Sequence, residues 1–419
     1  MTAPYPKAPP NRRLINTLTE GEEATIAGRL RAAPQGRLHL RDASGELKLL
    51  LTEPHGLLAR DLVSATGHRE GDAFAAREVA LLVRHTAQLA PAQRRHVRAR
   101  ARMNAQLRAW FSDQDFIEVE TPNLVTSPGT DVYLEAFSTR FSGMGQVRPR
   151  ELYLHTSPEF AMKELLTEGH ERIVQLCKVY RDGEWTRTHN PEFTMAEWYR
   201  AFADYKAVMA DVEAVVRLVL GEAPIEVEGR QVRMDAPFEV LTVQEAFMRC
   251  CAGLDVLEAN TAEALRGEAE ARGLGPLAAG GGWDDLFHEL LVTWVEPQLG
   301  APTPTFLVDY PAPLAVLSRR RDDDPRVAER FELYIAGVEL CNGFTELNDP
   351  VEQRARFAEE RARRAEMGLP AYPMPERFLA ALERGMPPSG GVALGLDRLL
   401  MLALGAESLS DVLIRALDA

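Results

Sequence analysis

The chain has 419 residues, of which 46% are hydrophobic and 26% are charged, and its formal net charge is −14. This length and composition allow two or three globular domains and exclude a disordered tail, a fibre and a small disulfide-linked protein. An acidic chain is not drawn to a polyanion by its net charge, so nucleic acid is disfavoured as a partner but not excluded.

Neither export nor membrane insertion is expected. The longest apolar runs, such as 399–406, are far shorter than the ~20 residues of a membrane helix. The first 13 residues lack the apolar stretch of a secretory signal. The four cysteines show no CxxC spacing, which favours free thiols in a reducing compartment. We therefore expect a cytoplasmic protein.

The first predicted domain is a small β-barrel over 14–88, preceded by a Pro-rich and flexible N-terminus at 1–13. Its strands are predicted at 25–30, 37–42, 46–51, 63–67 and 79–83. A turn at 42–45 joins the second strand to the third. Five short strands in one segment are typical of an OB-like barrel, although another small β-domain fits the same pattern.

Residues 89–419 are predicted to form an α+β domain. A basic stretch at 93–102 begins a helix that continues to Phe111. This helix and the strand that ends at Pro122 can serve a dimer interface, although many α/β proteins contain such a pair. Further on, an amphipathic helix is predicted over 283–297, ending at its proline.

The stretch 189–199, read as a strand, carries the first candidate site. Alternation with a period of two places Phe193, Met195, Glu197 and Tyr199 on one face. A carboxylate and a phenol beside an aromatic ring suit a pocket for a nucleobase and an ammonium group better than they suit a core. The preceding strand ends at Arg181, which is placed to contact a phosphate.

A hairpin over 331–346 carries the second candidate site. A two-residue turn at Ala336-Gly337 would place Glu332 diagonal to Glu339 on one face. Two carboxylates at this distance repel each other unless a cation lies between them, which suggests Mg²⁺. Simple alternation puts Asn342 and Glu346 on the opposite face, and we expect that a bend near Gly343 could bring all of them into one site.

A glycine-rich strand at 390–395 leads into a helix that carries Arg398. Glycine also marks tight packing, so this pattern is weak evidence for a site by itself.

Together and in this order, these segments resemble class II aminoacyl-tRNA synthetases of the lysyl subgroup. Arg181 with 189–199, then 339–347 and 391–400, look like motifs 2 and 3 of that family, and the resemblance covers about residues 95–419. It implies a catalytic core with an antiparallel sheet flanked by helices, which the OB-like barrel precedes, and a homodimer.

Some stretches resemble the elongation factor P lysine ligases of the same subgroup more than the tRNA enzymes. They are TSPEFAMK at 156–163, FTMAEWYR at 193–200 and the segment 385–413. Those ligases attach (R)-β-lysine or lysine to a lysine side chain of the translation factor.

The resemblance implies ATP and Mg²⁺ as cofactors and a role for each matched residue. The implied ATP-binding residues are Arg181, Asp182, Gly183, Glu184, Asn190, Phe193, Glu339, Leu340, Gly395 and Arg398. Arg181 would hold the α-phosphate, Arg398 would lie near the γ-phosphate, and these two are the implied catalytic residues. Glu332 and Glu339 would bind Mg²⁺. The implied amino-acid contacts are Ser157, Pro158, Glu159, Glu197, Tyr199, Asn342, Glu346 and Ala393.

The roles implied within the amino-acid site differ along the substrate. Ser157 and Glu159 would hold the backbone end, whereas Glu197, Tyr199 and Glu346 would hold the distal ammonium. The implied chemistry is in-line attack of the amino-acid carboxylate on the α-phosphorus of ATP, which forms an aminoacyl-adenylate. An acceptor nucleophile then takes the acyl group.

Two positions depart from the expected motifs. Many class II motifs have Arg-x-Glu where this chain has Gly183 after Asp182, so either Glu184 or a backbone carbonyl would contact the adenine amine. Lysyl-tRNA synthetases usually have Gly where this chain has Ala393, and the ligases have Ala. A methyl group there disfavours the α-amino group of lysine and leaves room for β-lysine.

Three functions remain open from the sequence. Residues 14–90 contain one aromatic residue, Phe74, and nine Arg or Lys against ten acids, which makes a poor anticodon reader. We therefore favour a ligase that acts on elongation factor P over a lysyl-tRNA synthetase. The third possibility is a non-catalytic regulator, against which the retained Arg181, Glu339, Glu346 and Arg398 argue.

Overall fold

The chain divides into two compact units, Met1–Ala90 and Pro91–Ala419. The computed structural model describes residues 11–32, 37–51, 57–83, 92–129, 131–143, 148–278, 280–315 and 317–413. Most of the expected flexible N-terminus, residues 1–10, lies outside the described residues.

The first unit is a closed β-barrel, which confirms the predicted OB-like domain. Its strands are β1 (Arg12–Arg13), β2 (Glu23–Ala32), β3 (Leu38–Arg41), β4 (Glu46–Leu51), β5 (Leu62–Glu70) and β6 (Ala73–Val83). The sheet order is β1-β2-β3-β4-β6-β5, and β5 also pairs with β2, which closes the barrel. Alternating apolar residues fill its interior, and Phe74 is fully buried there. The predicted turn is present, since Asp42 N donates to Gly45 O at 3.0 Å.

The second unit has the predicted α+β architecture. Its helices are α1 (Ala92–Asp113), α2 (Glu159–Thr167), α3 (Tyr205–Leu220), α4 (Val243–Cys250), α5 (Ala262–Ala271), α6 (Trp283–Leu290), α7 (Pro350–Glu366), α8 (Glu376–Arg384) and α9 (Leu396–Leu404). Its shorter strands are β7 (Ile117–Glu118), β8 (Leu124–Val125), β9 (Ser138–Phe141), β10 (Arg150–Leu154), β13 (Ile225–Val227), β14 (Arg230–Val232) and β15 (Glu239–Thr242). Its longer strands are β11 (Arg172–Tyr180), β12 (Glu192–Ala201), β16 (Thr305–Pro311), β17 (Val327–Ile335), β18 (Val338–Thr345) and β19 (Ser389–Gly395).

An eight-stranded sheet organises this unit in the order β15-β16-β17-β18-β19-β12-β11-β7. The six central strands pair antiparallel, and only the edge strands β15 and β7 pair parallel to their neighbours. Helices α1, α3 and α9 cover one face, where Phe111, Trp198 and Leu399 belong to one buried apolar cluster. The site described below lies on the opposite face, because residues that alternate with this core point away from it.

One predicted helix is shorter than expected. The segment predicted as a helix over 283–297 is α-helical only over Trp283–Leu290 and continues as a π-turn over Leu291–Val295 and a 3₁₀ turn over Glu296–Gln298. Pro297 lacks a backbone N–H and cannot continue the α-helical hydrogen bonding, so the last turns change type. None of the helices in the described part of the chain has the length and apolarity that a membrane crossing requires.

Candidate functional site: two joined cavities on the central sheet

The hairpin turn has the predicted geometry. Ile335 pairs with Val338, and the two residues between them have positive φ, 51° at Ala336 and 80° at Gly337. Positive φ at both central positions matches the twist of the strands, and glycine adopts it without strain. Tyr334 faces Glu339, as the sequence predicts.

A β-bulge follows this turn and decides which side chains share a face. Leu333 pairs with Cys341, so the register passes over Leu340. The extra residue shifts the alternation by one position, which brings Asn342 to the face of Glu339. The expected bend near Gly343 is therefore wrong, because Gly343 stays paired with β17 and β19.

The first cavity, here called the acidic cavity, lies over β12, β18, β19 and the start of α2. Its wall includes Ser157, Glu159, Glu197, Tyr199, Asn342, Phe344, Glu346 and Ala393. With Asp131, which also lines it, four carboxylates surround this cavity, which is a favourable environment for ammonium groups.

Glu197 is held on both oxygens. Ser157 Oγ donates to Glu197 Oε2 at 2.7 Å, and Tyr199 OH donates to Oε1 at 2.6 Å. Burial, followed by the nearby charge of Glu159, raises the pKa of Glu197 to about 7. Burial and the charge of Glu197 also raise the pKa of Tyr199, which therefore stays a hydrogen-bond donor.

Glu346 has one paired oxygen and one unpaired oxygen. Lys163 forms an ion pair with Oε2, while Oε1 is buried and has no hydrogen-bond donor among the described residues. A buried carboxylate oxygen without a donor is unfavourable, so Oε1 is suited to a ligand that brings its own N–H. Burial raises the pKa of Glu346 to about 8, although the ion pair with Lys163 opposes this shift.

The second cavity, here called the arginine cavity, adjoins the first. Its wall includes Arg181, Glu184, Asn190, Phe193, Glu332, Glu339, Leu340, Gly395 and Arg398. The guanidinium of Arg181 lies 5.2 Å from the ring centre of Phe193. Its Nε is buried without an acceptor among the described residues. Two arginines beside an aromatic ring can bind the phosphates and the base of a nucleotide.

Arg398 is fixed by contacts from two segments, the loop at 188–189 and strand β18. Its guanidinium donates to Glu339 O at 2.7 Å, to Thr188 O at 3.2 Å and to His189 Nε2 at 2.8 Å. Since arginine only donates, His189 Nε2 must accept, and its Nδ1–H then donates to Thr186 Oγ1 at 2.8 Å. Burial, together with the charges of Arg398 and Arg181, lowers the pKa of His189 to about 4, which keeps this ring neutral.

Two carboxylates on the wall of the arginine cavity, those of Glu332 and Glu339, lie near the carboxylate of Glu296. Glu332 accepts from Arg330 Nη2, Tyr310 OH and Tyr334 OH, each at 2.6 Å. Glu296, which the sequence did not mark, accepts from Tyr334 OH at 3.1 Å. Burial raises the pKa of Glu296 to about 7, with further contributions from Glu332 and Glu339.

This donor set fits a magnesium ion in part. Mutual repulsion of carboxylates favours a divalent cation between them, and Mg²⁺ is usually held by one or two carboxylates together with substrate phosphates. Glu339 pairs with Arg398 through Oε2, whereas three donors already engage Glu332. Among the described residues, no group of three or more His, Cys, Asp and Glu side chains is arranged to hold a metal ion.

The two cavities share part of their walls. The shared residues are Asp131, Leu134, Arg181, Met195, Arg330, Asn342 and Ala393. A group in the acidic cavity can therefore reach a group in the arginine cavity beside Arg181. Ala393 lies at this junction, because β19 pairs it with Glu197 on one side and with Asn342 on the other.

Three of the expected site residues do not line either cavity. Pro158 is the N-cap residue of α2. Asp182 Oδ1 accepts from the backbone N–H of Gly183 at 2.9 Å, and Gly183 has a φ of 80°, so these two residues form the turn after β11. Glu184 does line the arginine cavity, with its carboxylate 3.8 Å from Arg181.

Several residues at the site were missed by the sequence reasoning. Lys163 follows Glu159 by one helical turn, which usually indicates a surface pair. Arg330 precedes Glu332 by two positions and therefore shares its face, a signal that alternation could have supplied. Asp397 accepts from Thr194 N at 2.6 Å and pairs with Arg100, which ties the start of α9 to β12 and α1.

Comparison with known proteins finds a matching family and similar relatives. Residues 76–415 match the family of tRNA synthetases class II (D, K and N). The chain is 45% identical over 320 residues to the elongation factor P–(R)-β-lysine ligase of Erwinia tasmaniensis, covering 76% of this chain and 94% of that protein. It is 43% identical over 319 residues to the ligase of the same name from Vibrio cholerae, covering 75% and 93%.

The family match spans most of the chain, and the relatives that carry the ligase name match nearly over their full length. Class II synthetases use ATP. The chain therefore belongs to the class II tRNA synthetase family of the D, K and N group, and it is an ATP-dependent ligase.

Proposed function

We propose that this protein activates lysine or (R)-β-lysine with ATP and transfers the acyl group to a lysine side chain of elongation factor P. The observation that carries the proposal is the junction of the two cavities at Arg181. A cavity lined by four carboxylates opens beside a cavity lined by three arginines and the ring of Phe193. This arrangement fits a diamino acid next to a nucleotide.

In the activation step, the amino-acid carboxylate attacks the α-phosphorus of ATP, and pyrophosphate leaves. Arg181 is proposed to hold the α-phosphate, Arg398 the γ-phosphate, and Phe193 the adenine. Asn190, Glu184, Leu340 and Gly395 complete the nucleotide contacts. The chain acts by positioning the reactants and by neutralising the charge that develops on the phosphate oxygens.

Mg²⁺ is proposed to bind at Glu339 and Glu332, together with phosphate oxygens. When bound, it supplies further neutralisation of the phosphate charge. Arg330 and the two tyrosines that donate to Glu332 orient this carboxylate toward the arginine cavity.

For the amino acid, the second oxygen of Glu346 and the carboxylate of Glu197 are proposed to accept from the distal ammonium, with Tyr199 beside them. Ser157, Glu159 and Asn342 are proposed to contact the backbone end. The methyl group of Ala393 lies between Glu197 and Asn342 in the sheet register. It favours β-lysine, whose amine lies one carbon farther from the carboxylate.

In the transfer step, the amine of the acceptor lysine attacks the acyl carbon of the adenylate. An amide forms, AMP leaves, and the amine loses a proton. The similarity to elongation factor P–(R)-β-lysine ligases supports elongation factor P as the acceptor. The barrel supports a tRNA acceptor poorly, since Phe74 is the one aromatic residue of 14–90 and is buried.

Incubation of the purified full-length protein with ATP, Mg²⁺ and labelled lysine or (R)-β-lysine tests the proposal. Label should pass to elongation factor P and not to tRNA. Each acceptor is added separately, and a variant of the factor without its acceptor lysine is the control. Efficient charging of tRNA(Lys) would contradict the proposed acceptor, and absence of adenylate with both amino acids would contradict activation.

By the same family likeness, we propose a cytoplasmic homodimer with α1 and β7 near its interface. We also propose that residues 89–419 carry out catalysis and that the barrel at 14–88 has an accessory role. Analytical ultracentrifugation of the purified protein tests the dimer, which a monomeric mass at micromolar concentration would contradict.

A further inference from the structure

Lys163 is a buried cation next to the acidic cavity. Its side chain has no exposed surface, and its Nζ lies 2.5 Å from Glu159 Oε1 and forms an ion pair with Glu346 Oε2. The same Nζ lies 5.1 Å from the ring centre of Phe344 and 5.9 Å from that of Phe378. An ammonium group in such a place is stable only when carboxylates and aromatic faces replace its water.

Lys163 contacts the cavity wall without facing the cavity. Glu159, Phe344 and Glu346 all line the acidic cavity. Lys163 has no exposed surface from which it could contact a substrate. Any influence of Lys163 on a bound amino acid must therefore pass through these neighbours.

Lys163 forms an ion pair with one oxygen of each of two carboxylates. One oxygen of Glu159 and one oxygen of Glu346 are engaged by its ammonium. Glu346 Oε1 remains without a donor among the described residues, and it lies beside the ring of Tyr199 at the cavity wall. A carboxylate that is anchored through one oxygen can rotate little, so its other oxygen has a fixed position.

We propose that Lys163 is a positioning residue that holds Glu159 and Glu346 in place and sets the charge of the acidic cavity. The inference rests on the proposed function. When ionised, the four carboxylates on the wall, Asp131, Glu159, Glu197 and Glu346, outnumber the two arginines there, Arg181 and Arg330, and Lys163 compensates one carboxylate from behind the wall. The negative charge that remains favours the ammonium groups of lysine or β-lysine. A substrate with a single ammonium group leaves one buried carboxylate uncompensated, which is unfavourable.

Two substitutions separate charge from volume. Lys163→Met keeps the length of the side chain and removes its charge, whereas Lys163→Ala removes both and leaves an empty space beside the two carboxylates. In pyrophosphate exchange, Lys163→Met should raise the KM for lysine or β-lysine on the order of 100-fold, because a buried ion-pair partner is lost. The KM for ATP should stay within about twofold, since no ATP contact depends on Lys163. Lys206→Met, at an exposed lysine of α3, is the matched control.

Chemical rescue gives a second readout that a purely structural role would not produce. Propylammonium added to Lys163→Ala should restore a low KM for the amino acid, because it returns an ammonium group to the vacated space. Propanol of the same length should not restore it. Lys163→Met should not respond to the amine, because its side chain fills the space. Wild-type protein assayed with the same amine corrects for competition at the substrate subsite.

The outcomes distinguish this inference from the proposed function. If the wild type shows no exchange with either amino acid, the proposed function is wrong whatever the variants do. If the wild type is active and Lys163→Met keeps the wild-type KM for the amino acid, the positioning role is wrong. Rescue of Lys163→Ala by propanol as well as by propylammonium would also overturn it. Thermal unfolding checks both variants, and Lys163→Met decides the question if Lys163→Ala does not fold.

Discussion

Because Gly391 has no side chain, the carboxylate of Glu346 can occupy the space beside it. A Cβ at position 391 would overlap Glu346 Oε1 and the ring of Tyr199. The backbone of Gly391 does not have a positive φ, so glycine is needed here for space and not for conformation. The free oxygen of Glu346 therefore depends on the absence of a side chain on β19.

We expect Gly391→Ala to abolish lysine-dependent pyrophosphate exchange while ATP still binds. The added methyl group would displace Glu346 or Tyr199, and Gly391 lines only the acidic cavity. Calorimetric titration with ATP and with lysine measures the two effects separately. Gly267→Ala in helix α5, where a Cβ meets nothing within 4 Å, is the matched control and should be neutral. Normal lysine binding by Gly391→Ala would contradict the assigned position of Glu346.

Arg181→Ala should reduce pyrophosphate exchange by about 100-fold or more, because a fixed donor to the developing phosphate charge is removed. Arg181 lies at the junction of the cavities, and its buried Nε has no acceptor among the described residues. Arg249→Ala, at an exposed arginine of α4 that pairs with Glu239, should leave exchange unchanged. Equal rates of pyrophosphate exchange for the two variants would show that Arg181 does not act in the reaction.

Affinity for the amino acid should increase with pH. The pKa is raised to about 7 for Glu197 and to about 8 for Glu346. Both carboxyls therefore keep protons at pH 6 and ionise as the pH rises to 8.5, whereas the distal amine of lysine stays charged in this window. Since an ammonium group pairs only with an ionised carboxylate, the KM for lysine should fall from pH 6 to 8.5.

Glu346→Gln provides the control for this pH dependence. The variant should bind lysine more weakly, and the fall of its KM with pH should be smaller because one titrating group is gone. A pH-independent KM in the wild type would show that these carboxyls are already ionised at pH 6. The same raised pKa values predict that the free energy of unfolding of the ligand-free protein decreases from pH 5 to 8, because the folded chain holds protons that the unfolded chain has released.

Ala393→Gly should shift the preference from (R)-β-lysine toward lysine. One methyl group in a pocket is worth about 1–3 kcal/mol, which corresponds to tenfold or more in kcat/KM. The wild type should activate β-lysine better, and the ratio of the two kcat/KM values measures the shift. Norleucine should be rejected by both proteins because it lacks the distal ammonium. An unchanged ratio would place the methyl group away from the amino-acid subsite.

Deletion of residues 1–88 should leave activation largely intact. The barrel is a separate compact unit, and the Erwinia ligase matches 76% of this chain while 94% of its own length is covered. Thermal unfolding of the truncated protein controls for lost stability.

The barrel does carry a group of basic side chains on strands β2 to β4, namely Arg29, Arg31, His39, Arg41 and Lys48. Charging of tRNA by the full-length protein that is lost on deletion would assign these residues to RNA.

Much of this protein follows from local sequence patterns. The face of β12 that carries Glu197 and Tyr199 was predictable because strand alternation depends only on a period of two. The turn at Ala336-Gly337 was predictable because a glycine between two strand-like segments favours a two-residue turn, although the positive φ of Ala336 is unusual for a residue with a side chain. Such features depend on residues a few positions apart, and every one of them can be read along the chain.

The bulge at Leu340 was not predictable in this way. The register of β18 depends on its pairing with β17 and with β19, which lies far along the chain. Simple alternation therefore placed Asn342 on the wrong face relative to Glu339, and only the paired strands decide where the extra residue is accommodated.

The role of Lys163 shows the same limit for electrostatics. From the sequence, a lysine one helical turn after Glu159 suggests a surface pair. Only the tertiary contacts of α2 place its ammonium beside Phe344 and between the carboxylates of Glu159 and Glu346. The sequence alone determined the family and the residue types of the site, and it predicted two domains. The tertiary structure decided their partners and protonation, because burial and long-range ion pairs exist only once distant segments pack together.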